Sequence, residues 1–126
     1  MEPTIYFADS RATGNDDGSS WEDAFVDLYD ACSAATEVGD QIWCKWCVFE
    51  ITSTPTLLSG VHLYCGFPPH LTGTNGDVDY RPYRTLIDGL GTHRCITLRI
   101  DFGTFDGVDL TRGFATEGGG ILIYSP

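Results

Sequence analysis

The first apolar positions, Ile5-Tyr6-Phe7-Ala8, form a short run that gives way to the polar segment Thr13-Gly14-Asn15-Asp16-Asp17-Gly18-Ser19-Ser20. This pattern predicts one strand and a loop, because β-branched and aromatic residues suit a pleated backbone while Asn, Asp and Gly suit turns. The period then changes. Trp21, Phe25, Leu28, Ala31, Cys32 and Ala35 recur at spacings of three and four, with Glu22, Asp23, Asp27 and Asp30 on the other face. That spacing predicts a helix over residues 21–35. Ser20 is placed to cap it, the early carboxylates complement its positive end, and Gly39 supplies a stop. A helix with one apolar stripe must lie on something.

After residue 40 the chain reads as short strands and turns. In residues 41–51 and 60–67, alternation puts Ile42 and Cys44, or Val61 and Leu63, on one face. Trp43 and Lys45, and on the next segment His62 and Tyr64, then share the opposite face. Residues 68–84 contain two adjacent prolines and Asn75-Gly76-Asp77, which predicts an excursion from the core. Leu86-Ile87-Asp88-Gly89 is echoed by Thr104-Phe105-Asp106-Gly107. Short strands with Gly at the corners and a period of roughly 20 residues predict a β-solenoid, each coil burying its apolar face on the next.

The length of 126 residues allows one domain with a single core. Residues 1–40 would supply a strand and a capping helix, and residues 41–126 about four coils interrupted near 68–84. Seven basic residues stand against eighteen acidic ones, a net charge of −11. Nucleic acid is thereby excluded as a partner, since binding it rests on neutralising phosphates with Lys and Arg. No apolar run approaches the roughly 20 residues of a membrane span, so membrane insertion is not expected. Met1-Glu2-Pro3-Thr4 shows no export signal. Five cysteines are an odd number, leaving at least one thiol free or paired with another chain if the surroundings are oxidising. Cys44-Lys45-Trp46-Cys47 is a C-x-x-C, but no second ligand pair follows to complete a tetrahedral zinc site. It also lies in a β-like stretch, whereas a redox C-x-x-C opens a helix.

Several segments, taken in order, carry a resemblance. Ile5-Tyr6-Phe7, Thr13-Gly14-Asn15-Asp16-Asp17-Gly18-Ser19-Ser20-Trp21, the helical stretch, Gly39-Asp40-Gln41-Ile42-Trp43, Gly60-Val61-His62-Leu63-Tyr64-Cys65-Gly66-Phe67 and Thr85-Leu86-Ile87-Asp88-Gly89 look like the N-terminal part of secreted right-handed parallel β-helix proteins. These form the pectate-lyase-like superfamily, including the polymorphic outer-membrane-protein type repeats. The resemblance implies a mainly β fold, a short right-handed parallel β-helix with an N-terminal capping α-helix. It also implies an extracellular or cell-surface location. Cys44, Cys47 and Cys65 depart from the family pattern, and family members run on for further coils where this chain reaches Tyr124-Ser125-Pro126.

Asp88, Asp106 and Asp109 are candidates for a stacked acidic ladder holding calcium, the one cofactor considered; alternatively Asp88 and Asp106 are turn residues ahead of Gly. Asn15-Asp16-Asp17-Gly18 offers a similar choice between a cation and a turn. G-x-S-x-G, P-loop and H-E-x-x-H motifs are absent, and His62, His70 and His93 sit on different segments, so catalysis has little support. Stacked coils would bring Trp43 beside His62 and Lys45 beside Tyr64. That strip would suit sugar rings or another protein, unless the excursion or the helix covers it. Cys47 and Cys65, near the ends of consecutive strand segments, are the expected disulfide. The apolar Ile121-Leu122-Ile123-Tyr124 is the expected self-association edge. Two functions follow as expectations. The first is a non-catalytic structural solenoid that joins end to end as a homo-oligomer or filament. The alternative is a carbohydrate-binding module or the N-terminal piece of a polysaccharide lyase-like enzyme, with a polysaccharide partner.

Overall fold

The computed structural model describes residues 3–99, 104–113 and 121–124, with Arg99 and the last four described by their backbone. The described chain is mainly β. Strand β1 (Ile5–Ala8) precedes α1 (Leu28–Ala34), and nine strands follow. These are β2 (Gln41–Lys45), β3 (Val48–Glu50), β4 (Thr56–Leu57), β5 (His62–Phe67), β6 (Thr85–Asp88), β7 (Ile96–Arg99), β8 (Thr104–Asp106), β9 (Val108–Thr111) and β10 (Ile121–Tyr124). They build three sheets, ordered β1-β2-β5-β8, β3-β6-β9 and β4-β7-β10. Every pairing among the described strands is parallel. Antiparallel hairpins, the arrangement that would have contradicted the stacked pattern, are not found among them.

From β2 onward the chain visits the three sheets in fixed rotation, completing three passes, while β1 joins only the first sheet. The predicted number of passes was about four. The difference lies in the excursion. Gln41 pairs with His62, but His62 pairs with Thr104, twice as far along the chain. The Asp88-Gly89 and Asp106-Gly107 steps therefore do not stack. Asp88 aligns with Glu50 and Thr111, and Asp106 with Tyr64 in a different sheet.

The interior is the expected one over most of its length. Ile42, Val61, Leu63 and Ile87 are buried together with Phe49, Ile51, Leu57 and Ile96. Each such side chain contributes about 1.5–3 kcal/mol by leaving water. Val108, expected inside, is only half-buried at the far end.

The helix is shorter than its periodicity predicts. The Asp27 side chain accepts from the Tyr29 amide (2.9 Å) and caps α1, whereas Ser20 Oγ accepts from the Asp23 amide (3.2 Å) in a turn. Residues 21–26 use their backbone groups elsewhere. The Phe25 amide donates to Phe7 and its carbonyl accepts from Asp9, and the Glu22 and Asp23 carbonyls accept from the loop before them. Tertiary pairing thus wins over a helical repeat worth little by itself. Trp21 and Leu28 are buried as expected, Phe25 half-buried.

A bulge shapes the first sheet. Cys44 aligns with Cys65 and Lys45 with Phe67, leaving Gly66 as the extra residue. Gly66 adopts φ +90°, and an added Cβ would strike the Tyr83 carbonyl oxygen. Buried Thr85 stitches the irregularity, accepting from the Gly66 amide (2.9 Å) and donating to the Lys45 carbonyl (2.8 Å). By simple alternation Phe67 would join Leu63 and Cys65 inside. The extra residue turns it over to the outer face, where it stacks on Trp43 at 4.9 Å.

Candidate functional site

The outer face of β2 and β5 carries the four residues expected to form a binding strip. Register sets Gln41 opposite His62 and Trp43 opposite Tyr64, and the bulge sets Lys45 opposite Phe67. The expected neighbours, Trp43 with His62 and Lys45 with Tyr64, are therefore corrected: Trp43 meets Tyr64, one alternate position on, and the bulge carries Lys45 past it to Phe67.

Trp43 and Lys45 are also covered. Trp43 packs with Phe7, Trp21 and Phe67 as a second apolar cluster outside the sheet, and its Nε1 donates to Gln41 Oε1 (2.8 Å). Trp21 Nε1 donates to the Asn75 carbonyl (2.7 Å), and Lys45 Nζ donates to the Leu71 carbonyl (2.8 Å). Both acceptors belong to the excursion, which folds back over the sheet. Lys45 Nζ lies 5.2 Å from the Trp21 ring centroid and 4.0 Å from Asp9 Oδ2, so its charge is held under the excursion. A space of about 340 Å³ adjoins it, lined by Asp9, Arg11, Trp21, Lys45 and His70 among others.

His62 and Tyr64 remain half-exposed. Their rings are nearly parallel with centroids 6.1 Å apart, and His62 Nδ1 is 3.0 Å from Thr104 Oγ1. Arg81 lies over Tyr64 at 5.1 Å and meets Asp106 (2.8 Å). The exposed aromatic pair that the pattern did not single out is Trp46 with Tyr83, stacked at 5.1 Å. Trp46 lines a cleft of about 410 Å³ together with Arg11, Cys47 and Arg84 among others. Trp46 lies one residue beyond β2, where alternation no longer applies.

The three aspartates are not joined as a ladder. Asp88 takes Arg112 through two bonds (2.6 and 3.0 Å), Asp106 takes Arg81, and Asp109 takes Arg84 (2.7 Å). The Arg112 guanidinium, aided by the Leu90 amide, holds the Asp88 carboxyl below its ordinary range, and Arg81 does the same for Asp106. The Asp88 side chain also accepts from the Leu90 amide (2.9 Å), the turn chemistry weighed for a residue ahead of Gly. Asp16 and Asp17 likewise spend oxygens on the Val26 amide and on Ser19. Among the described residues no three His, Cys, Asp or Glu side chains converge on a metal position.

All five cysteines are buried free thiols, Cys47 and Cys65 included, so the expected bond between them is not formed. The reason lies in the register, which aligns Cys65 with Cys44. Burial pushes the Cys47 thiol up to about 11 and raises Cys32 and Cys44 as well, the opposite of an activated nucleophile. The Ile121–Tyr124 segment forms β10, an edge strand beside β7; the exposure of its side chains lies outside the described residues. No helix among the described residues is long and apolar enough to cross a membrane. Comparison with known proteins finds no matching family model, curated protein or solved structure.

Proposed function

We propose that the protein is a non-catalytic structural module, a short right-handed parallel β-helix that associates end to end with further copies of itself at an extracellular or cell surface. The observation that carries this reading is the rotation of the chain through three parallel sheets. After three passes, β8, β9 and β10 each have a neighbour on one side only among the described strands. Three parallel edges at one level present backbone donors and acceptors in a row, which a second copy can satisfy by adding strands. A net charge of −11 opposes that approach, so association strengthens with salt, or with calcium bridging carboxylates.

The carbohydrate reading is less well supported, because two of its four residues, Trp43 and Lys45, lie under the excursion. Particle size by light scattering, across protein concentration, NaCl and calcium, tests the proposal. Species larger than one chain that grow with salt are expected. A dimer would mean that two final passes meet, and a filament that the final pass docks on the opposite end. A monodisperse monomer under all conditions overturns it. Saturable binding of a polysaccharide, or release of unsaturated product, would favour the alternative.

A further inference from the structure

We propose that Cys44 and Cys65 are a disulfide-forming pair that staples the first pass of the chain to the second. They are direct partners in adjacent parallel strands, the last aligned pair before the bulge. Neighbouring strands lie about 4.8 Å apart, inside the roughly 4.4–6.8 Å between Cα atoms that a disulfide tolerates. Both side chains are fully buried in the same interior cluster.

Cys32, Cys47 and Cys95 share the interior cluster but are not register partners of either. Cys47 lies beyond β2 and contacts Ser10, Cys32 is carried by α1, and Cys95 Sγ donates to the Thr111 carbonyl (3.3 Å). The inference depends on the register of β2 and β5 alone and stands whether or not copies associate.

The chemistry is thiol–disulfide exchange with a small-molecule disulfide such as oxidised glutathione. The thiolate of one cysteine attacks the external disulfide, forming a mixed disulfide and releasing one molecule of reduced thiol. The second cysteine's thiolate then attacks the protein sulfur of that mixed disulfide and releases the other. Two protein thiols are oxidised, the external disulfide is reduced to two thiols, and the two protons pass to the released thiols. Attack requires a thiolate that can be reached, and full burial withholds both conditions from the folded, reduced protein. The bond therefore forms during folding, while the interior is still open, and becomes inaccessible afterwards. It would fix the register of the first sheet at the point where the bulge leaves it free to slip.

The test is to refold the full chain in a mixture of oxidised and reduced glutathione, alkylate the remaining thiols and map peptides without reduction. The expected result is one linkage, Cys44 to Cys65, with Cys32, Cys47 and Cys95 alkylated, and a denaturation midpoint that falls on adding reductant. Protein folded fully reduced and exposed to the same mixture afterwards should form the linkage far more slowly. Cys44→Ala and Cys65→Ala should each abolish both the linkage and the response of the midpoint to reductant. If these variants do not fold, the map of the unaltered chain decides by itself. Alkylation of both Cys44 and Cys65 after oxidative refolding, or a Cys47–Cys65 linkage, overturns the proposal.

Discussion

Strand β2 has four of its five residues buried, whereas β8 and β9 have none. Both regions are parallel strands, yet they are held in different ways. The β2–β5 pair lies between two apolar layers, the interior on one side and the Phe7, Trp21, Trp43 and Phe67 cluster on the other. The β8–β9 pass has only the interior side, where Phe105, Val108 and Leu110 are half-buried. Its outer side is tied to the rest by Arg81 to Asp106 and Arg84 to Asp109, while Arg112 just beyond β9 reaches Asp88. A sheet covered on both faces is stabilised chiefly by burial, with Lys45 beside Asp9 and Glu22 on the Gly73 amide as its charged contacts. A pass held by charged contacts answers to salt and pH, and among the described strands β8 and β9 each have a neighbour on one side only.

The sharpest way to break this contrast is to remove the outer layer. Trp43→Ala should cost about 3–5 kcal/mol, because a buried ring is lost and its partners cannot collapse fully into the space. Urea unfolding followed by circular dichroism measures it. A loss below about 1 kcal/mol would mean the outer cluster contributes little, since even small buried truncations cost that much.

Arg81→Ala comes next, because Arg81 joins the two regions. Its side chain is 12% exposed; Nε donates to the Val78 carbonyl (2.6 Å), and the terminal nitrogens reach the Cys65 carbonyl (3.2 Å) and Asp106 Oδ2 (2.8 Å). Losing these bonds to a mostly buried guanidinium should cost about 1.5–3 kcal/mol. Hydrogen exchange should locate the change at β5 and β8. A change spread evenly over all strands would contradict the role of Arg81 as a local tie.

Acid should separate the regions without mutation. The folded-state carboxyls of Asp106 and Asp88 are depressed, chiefly by side-chain bonds from Arg81 and Arg112. A depressed carboxyl stabilises the fold at pH above its unfolded value of about 3.9, and that contribution is lost as pH falls through the lower folded value. Hydrogen-exchange protection, taken relative to the intrinsic rate at each pH and followed downward from pH 5, should therefore fall in β6, β8 and β9 before β2 and β5. Simultaneous loosening of both regions would show that the charged ties are not what distinguishes them.

The same contrast explains how much was legible beforehand. Ile42, Leu63 and Ile87 follow strict alternation, and alternation is a local property of a strand, so they were placed inside from the sequence. Phe67 was not, because one extra residue at Gly66 reverses the face and nothing local announces the bulge except the glycine itself. The first turn of the expected helix failed for a related reason: Phe25 has helical spacing but finds a strand partner in β1. The partner of Cys65 depends on the register between β2 and β5, and the three residues that separate Cys44 from Cys47 are not resolved by periodicity alone. The adjacent prolines and Asn75-Gly76-Asp77 mark the excursion as a departure from the core, but its return over Trp43 and Lys45 is fixed by long-range bonds to the Asn75 and Leu71 carbonyls.

The smallest effect is expected at a pair whose contact is shorter than that of Arg81 with Asp106. Arg84 Nε lies 2.7 Å from Asp109 Oδ1, shorter than the Arg81 contact, and Arg84 also donates to the Val108 carbonyl (2.7 Å). Both side chains, however, are more than half exposed, at 57% and 56%. Water solvates each charge almost as well alone, and ordering two long side chains costs entropy, so Arg84→Ala should cost below about 1 kcal/mol. Raising NaCl should shrink even that difference, because exposed charges are screened first. The decisive comparison is with Arg81→Ala in the same buffer. If the exposed arginine cost as much as the buried one, distance rather than burial would set the strength of these ties, and the two regions would no longer differ in the way their packing implies.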